Sequence, residues 1–343
     1  MKNRILLSML FLSLFALNLM TGCKQDNANV NTQYESLMNE GLHKFESGDF
    51  AGAKKIYQNI VNSDNRNTKA RLRLASVNLC LNPDGMEFIY SLDSISGYDR
   101  VVGKLRTRYY THSKRVWTNE ELEETPEDVN DISNEKEIFT KALDKNPRDA
   151  RLLFGRGCWK FIMSDKYGAI KDFTEAIRID SNFYQAYFML GKCYRDNLIY
   201  MHVMETRRGY YQALFYFLKA NQLNPNDTHV IREMKNIYKF FNNWEGLQQV
   251  NTRLYELNPS DHQALSEAAR AKAVLGNYTE SIEDLKLLVK LNPQESGYLL
   301  ELGGAKLKAG DKAGGQKDID RADEMFRKEK PDNRTKGYHK KAI

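Results

Sequence analysis

Between residues 142 and 194 apolar positions return every three to four residues, broken by short polar stretches, which predicts amphipathic helices arranged in pairs. The pattern then recurs at a fixed interval. Gly157 returns as Gly191 and Ala142 as Ala176, each 34 residues on, with Asn146-Pro147 and Asp180-Ser181 marking turns just after the alanines. Gly157 and Ala169 fall where two helices must approach closely, and Tyr167, Phe173 and Ile177 are expected to fill the facing side. Pro225, Pro259 and Pro293 keep the same 34-residue interval, each after an asparagine where a second helix stops. Upstream, Gly41, Gly48-Asp49-Phe50, Ala53 and Tyr57 carry the pattern through residues 34–67. Downstream, Gly303, Gly310-Asp311 and Ala322 mark a last pair over residues 296–326, whose Lys317, Asp318, Asp320 and Arg321 give it a polar outer side.

Two stretches break the rhythm. Residues 68–101 predict a degenerate unit, with Leu74 and Ala75 on its first helix, Pro83-Asp84-Gly85 at the turn and a second helix over 88–95. Residues 102–149 predict an interrupted unit, with Leu105, Tyr109 and Tyr110 on the first helix and Ile138, Phe139, Ala142 and Leu143 on the second. Between them an acidic insertion over 118–133 holds Glu120, Glu121, Glu123, Glu124, Glu127, Asp128 and Asp131, read as solvated or lying back on the basic stretch before it rather than as an interaction loop. A second insertion enters near 198–208, where Gly191 to Ala213 spans 22 residues against 12 from Gly157 to Ala169. Lengthened helices there predict a ridge of Tyr200, Met201, Met204, Tyr210 and Tyr211.

A 34-residue unit of two amphipathic helices, with small residues at their close approach, is similar to the tetratricopeptide repeat. The resemblance covers most of the chain and implies an all-α fold: a right-handed α-α superhelix, or solenoid, of about seven to eight helix pairs over residues 34–326. First helices would line its concave side, where residues at i, i+4 and i+7 share a face. That places Phe188, Lys192 and Arg195, then Arg232, Asn236 and Lys239, then Arg270 on one surface. Cations beside an aromatic ring suit an extended peptide with acidic groups or a free C-terminal carboxylate. Arg232 with Asn236 resembles the start of the clamp by which some family members hold chaperone tails. Glu267 stands where the second asparagine of that clamp would be, so its specificity does not carry over. A solvated basic face without a ligand is the alternative.

Residues 1–22 read as a secretory leader: Lys2 and Arg4, an apolar run over 5–19, then small residues, too short for a comfortable membrane-spanning helix. Met20-Thr21-Gly22-Cys23 resembles the bacterial lipoprotein box, with Met20 in place of the usual leucine. The resemblance makes Cys23 the lipidated residue, and several acyl chains on one residue give stable anchorage. Lys24 rather than aspartate after the cysteine implies, by the same analogy, the outer membrane. Residues 23–33 read as a flexible tether of about 30 Å when extended, and residues 327–343 as a basic, frayed tail.

Composition narrows the function classes. With 41% hydrophobic and 28% charged residues and only 7 prolines, the chain is not largely disordered. The net charge of +6 falls to about +4 once Lys2 and Arg4 are removed, too little to argue for nucleic acid. After Cys23, the odd remainder of Cys80, Cys158 and Cys193 without CxxC spacing speaks against a zinc site or a disulfide framework. These three are read as buried small hydrophobes, a Cys158–Cys193 bridge being the alternative. The six histidines have no metal-ligand spacing, no nucleophile elbow occurs, and residues 310–317 mimic a phosphate loop only superficially, with Gln316 and Lys317 where lysine and serine or threonine belong. No cofactor, metal or catalytic residue is therefore assigned. The expectation is a non-catalytic, lipid-anchored envelope adaptor that binds proteins or peptides, its oligomeric state open. The alternative is a glycan- or nutrient-binding lipoprotein using 19 Tyr and 16 Phe as stacking platforms.

Overall fold

The computed structural model describes residues 33–65, 67–81, 126–163, 165–196 and 203–329, all of whose regular structure is helical. The leader with Cys23, most of the tether, the helices expected over 88–95 and around Tyr109, and the tail beyond residue 329 lie outside the described residues. Fourteen helices run in order: α1 (residues 33–46), α2 (Phe50–Ser63), α3 (Thr68–Leu81), α4 (Pro126–Lys145), α5 (Ala150–Ile162), α6 (Lys166–Ile179), α7 (Tyr184–Asp196), α8 (Val203–Leu223), α9 (Thr228–Phe241), α10 (Trp244–Leu257), α11 (His262–Val274), α12 (Tyr278–Leu291), α13 (Ser296–Lys308) and α14 (Lys312–Glu329). They fall into two compact units, residues 1–193 and 194–343.

Local chemistry sets each helix boundary. Asp49, Asp165, Asn243, Asp261 and Asp311 each accept a hydrogen bond from the backbone N–H three residues on, at 2.8–3.0 Å. Such caps satisfy an amide that the first turn leaves open and contribute about 1 kcal/mol each. Between first and second helices the chain turns through the left-handed region at Gly48, Gly276 and Gly310 (φ 83°, 85° and 95°) and at Asn242 (φ 53°). Positions 242, 276 and 310 keep the 34-residue interval, and asparagine is the side chain best able to replace glycine in that conformation.

In the first unit, the methyl that Gly157 lacks would fall 2.6 Å from Phe173, and that of Gly155 would fall 2.2 Å from Phe139. Small residues on one helix thus make room for a ring on its neighbour, and Phe139, Phe154 and Phe173 are all fully buried. Tyr167, expected to join them, is 77% exposed at the start of α6, and Phe173 supplies the atoms nearest Gly157.

Among the described residues, α3 packs against both α4 and α5. Glu135 of α4, 1% exposed, accepts hydrogen bonds from Arg73 (2.6 Å) and Ser76 (2.7 Å) of α3, and the Trp159 indole of α5 donates to the Ser76 hydroxyl at 3.0 Å. These bonds join α3 directly to α4 and α5. Pro126, Glu127, Asp128 and Asp131, assigned to the acidic insertion, belong to the opening turns of α4. Proline suits a first helical position, and carboxylates are favoured at a helix N-terminus.

In the second unit, α8 to α14 pack in sequence order, and Leu265, Leu285, Leu288, Leu299, Leu302 and Ala322 share one core across α11 to α14. Burying each such leucine contributes about 1.5–3 kcal/mol. α8 begins at Val203, so part of the insertion assigned near 198–208 is helical, and α14 runs three residues past the expected boundary. Cys80, Cys158 and Cys193 are buried and form no disulfide bond among the described residues.

Candidate functional site

Helix α9 turns Val230, Ile231, Met234, Ile237 and Tyr238 inward, which leaves Arg232, Asn236 and Lys239 exposed along one line at i, i+4 and i+7. Arg270 occupies the corresponding face of α11. The second unit thus brings Arg195, Arg232, Asn236, Lys239 and Arg270 onto its first helices. Phe188 and Lys192 belong to the first unit, and Phe188 departs from its expected place on an open surface. At 4% exposure it lies in the core, because α7 buries Ala186, Met189, Leu190 and Cys193 around it. The Lys192 ammonium sits 5.8 Å from the Phe188 ring and 6.0 Å from that of Phe161.

The cations of the second unit are not a bare basic patch. Five of them, all on first helices, reach forward to a carboxylate on or capping the next first helix. Arg195 pairs with Glu233, Arg232 with Asp261 (3.3 Å), Lys235 and Lys239 with Glu267 (3.2 and 2.9 Å), and Arg270 with Glu301. Glu233, Glu267 and Glu301 are 34 residues apart, so the same interval that sets the helices also lays down a column of carboxylates. A second set of ion pairs joins three first helices to their own second helices: Lys160 to Asp172 (2.8 Å), Lys272 to Asp284 (2.7 Å) and Lys306 to Asp318 (2.5 Å), every partner twelve positions later.

Exposure differs between the two ends of the outer contacts. The side chains of Arg232, Lys239 and Arg270 are 53%, 49% and 59% exposed, and those of their carboxylates Asp261, Glu267 and Glu301 are 19%, 17% and 29%. The anions lie beneath and the cations on top, so the outward edge of each cation keeps donors free. Burial pushes the Glu267 carboxyl up, but hydrogen bonds and charge from Lys239 and Lys235, with a hydrogen bond from Gln263, outweigh it and hold the group below the ordinary carboxylate range. The Arg270 guanidinium is held above its usual value, chiefly by its hydrogen bond to Glu301.

Of the expected ridge, Tyr200 and Met201 lie outside the described residues. Tyr211 is 60% exposed and its ring stacks on Phe241 at 4.5 Å, while Tyr210 packs against Phe240, also at 4.5 Å. Among the described residues no group of three histidine, cysteine or carboxylate side chains is close enough to hold a metal ion, and no helix is long and apolar enough to cross a membrane.

Sequence reasoning found the exposed cations and missed Glu233 and Glu301 as their partners, although their spacing of 34 was there to be read. The chain is similar to three solved structures. YrrB, a TPR protein with an unusual peptide-binding site, is 18% identical over 58% of this chain and 95% of its own, with a TM-score of 0.42. A tetratricopeptide repeat protein from Parabacteroides merdae is 14% identical over 86% of this chain and 93% of its own, with a TM-score of 0.34. TTC0263, a thermophilic TPR protein in Thermus thermophilus, is 14% identical over 53% and 93%, with a TM-score of 0.34. No protein-family model and no curated protein matches the chain. The repeat register rests on the 34-residue interval itself, and these likenesses stand beside it.

Proposed function

Taking the chain as an array of tetratricopeptide-type helix pairs, we propose that it is a non-catalytic scaffold binding protein or peptide partners along the charged face of α9, α11 and α13, held at the cell envelope by lipid on Cys23. The observation that carries this reading is the layering of that face, with half-exposed cations fixed from below by largely covered carboxylates. A flexible arginine or lysine loses rotamer freedom when it binds, and here the carboxylate beneath has already ordered it. The free edge of each guanidinium is left to an acidic side chain or a chain terminus, and the exposed Asn236 amide offers one donor and one acceptor to a peptide backbone. The carboxylate column also sets a cost, since a ligand too strongly acidic meets Glu267 and Glu301 at close range. This favours a peptide of mixed charge over a polyanion, and agrees with a net charge too small for nucleic acid.

The reading is tested by recovering partners from gently solubilised membranes with the tagged full-length protein. Wild type is expected to retain specific proteins that the Arg232→Glu/Lys239→Glu/Arg270→Glu variant loses. The same proteins on both, or the protein alone across several detergents, would overturn it. Anchorage is read separately: Cys23→Ala should move the protein from the membrane fraction to the soluble one, and a wild-type protein already soluble removes the lipid from the proposal.

A further inference from the structure

Helix α8 presents a second surface that the first-helix face does not use. Its buried positions, Gly209, Ala213, Phe217 and Ala220, take one side of the helix, which leaves Tyr211, Phe215 and Leu218 in a row at i, i+4 and i+7 on another. They are 60%, 56% and 44% exposed. Large side chains lined up on the outside of a soluble helix are costly in water, unlike scattered single ones. Phe240, 44% exposed, and Phe241 extend the aromatic surface from α9, with Phe240 and Phe241 edge to face at 5.2 Å.

Charge identifies what fits there. Across the face of α9, α11 and α13 the cations are matched by carboxylates of the same unit. Arg207 and Arg208, one turn before Tyr211, are both exposed and have no carboxylate partner among the described residues; Arg207 rests over the Phe241 ring at 5.9 Å. Arg207, Arg208, Tyr211, Gln212, Phe215 and Tyr216 together form one open, shallow surface along three turns of α8.

We infer that this surface of α8 is a docking site for an acidic peptide segment carrying at least one aromatic or large aliphatic side chain, which packs on the row of Tyr211, Phe215 and Leu218 while its carboxylates meet Arg207 and Arg208. The inference rests on the scaffold reading only in treating the protein as a binder of other chains, and it places a second site on a different helix face.

The test uses the full-length protein in detergent and a fluorescein-labelled 15-residue synthetic peptide in which glutamates flank two tryptophans. The acidic peptide should bind, more weakly with added salt. Arg207→Glu/Arg208→Glu should weaken it at least about tenfold and Phe215→Ala about fivefold. The Arg232→Glu/Lys239→Glu/Arg270→Glu variant should bind it within about twofold of wild type. Equal binding of the same peptide with lysines for glutamates overturns the site, as does binding of phosphatidylglycerol vesicles or a chito-oligosaccharide that needs Phe215 but not the arginines. Binding lost in the Arg232/Lys239/Arg270 variant yet kept in the Arg207/Arg208 variant would move the peptide to the first-helix face, sparing the scaffold reading and ending this one. Peptide binding that depends on Arg207 and Arg208, with no partner recovered from membranes, would have the opposite effect.

Discussion

Gly303 and Gly304 are neighbours on α13, and a methyl group added to each meets different surroundings. At Gly303 it would fall 2.7 Å from the Gly315 carbonyl oxygen and 2.7 Å from Ile319, whereas at Gly304 nothing lies within 4 Å. A backbone oxygen cannot swing aside, so Gly303→Ala is expected to destabilise the second unit by about 1–3 kcal/mol. Gly304→Ala removes a helix-interior glycine without a clash and should stabilise it by about 0.5–1 kcal/mol. Urea titration of the two variants beside wild type measures both, and equal shifts in one direction would contradict the packing described. The sequence pattern marks Gly303 as part of the last helix pair. It could not separate Gly303 from Gly304, since that depends on which side of α13 meets α14. The same limit explains Tyr167 and Phe188: the period of a helix says which residues share a line, and the neighbours decide whether that line is covered.

Between elements, two sets of polar contacts act where apolar packing leaves off. Glu135, inside the first unit, holds Arg73 and Ser76 and so fastens α4 to α3, with Trp159 of α5 on the same hydroxyl. Removing one partner of a buried pair strands the other, and Glu135→Ala is expected to cost about 3–5 kcal/mol, visible as an earlier shift in Trp159 emission on denaturation. At the charged face the prediction concerns pH. The folded Glu267 carboxyl lies below its ordinary value, so as pH falls the unfolded chain takes up the proton first. The stabilisation is complete above about pH 4.3 and is lost as the pH drops through the lowered folded value. Glu267→Gln should flatten the acid limb of stability against pH, and an unchanged limb would remove Glu267 from that role. Helices and turns were legible in the sequence because each is decided within one 34-residue period. The direct contact of α3 with α4 was not, because residues 68–81 and 126–145 read as parts of two different units. Nor were the forward ion pairs, whose members are 28–38 residues apart and meet only when helices stack.

For the molecule as a whole, arrays in which each element touches mainly its neighbours in the chain unfold in parts rather than at once. Trp159 is fully buried in the first unit and Trp244 half-buried in the second, so each can report on its own surroundings. In a Trp117→Phe/Trp244→Phe background, Gly303→Ala should leave the Trp159 transition in place; in a Trp117→Phe/Trp159→Phe background it should advance that of Trp244. Coincident shifts at both would show one cooperative body. Function was legible at this scale only as a class. A repeat supplies surface, and the recognising chemistry depends on which cations are already occupied, which stacking alone decides.

The forward reach of the outer contacts gives the second unit a direction. Because each guanidinium or ammonium leans toward the following first helix, a chain shortened from its C-terminal side would end in a stranded cation, while one shortened from its N-terminal side would begin with a stranded carboxylate. Arg270 becomes that orphan when α13 and α14 are deleted, and Glu267 does when α9 is lost. The two cut ends would thus carry opposite signs and attract each other, so fragments trimmed from opposite sides should join head to tail with an affinity that declines as salt is added.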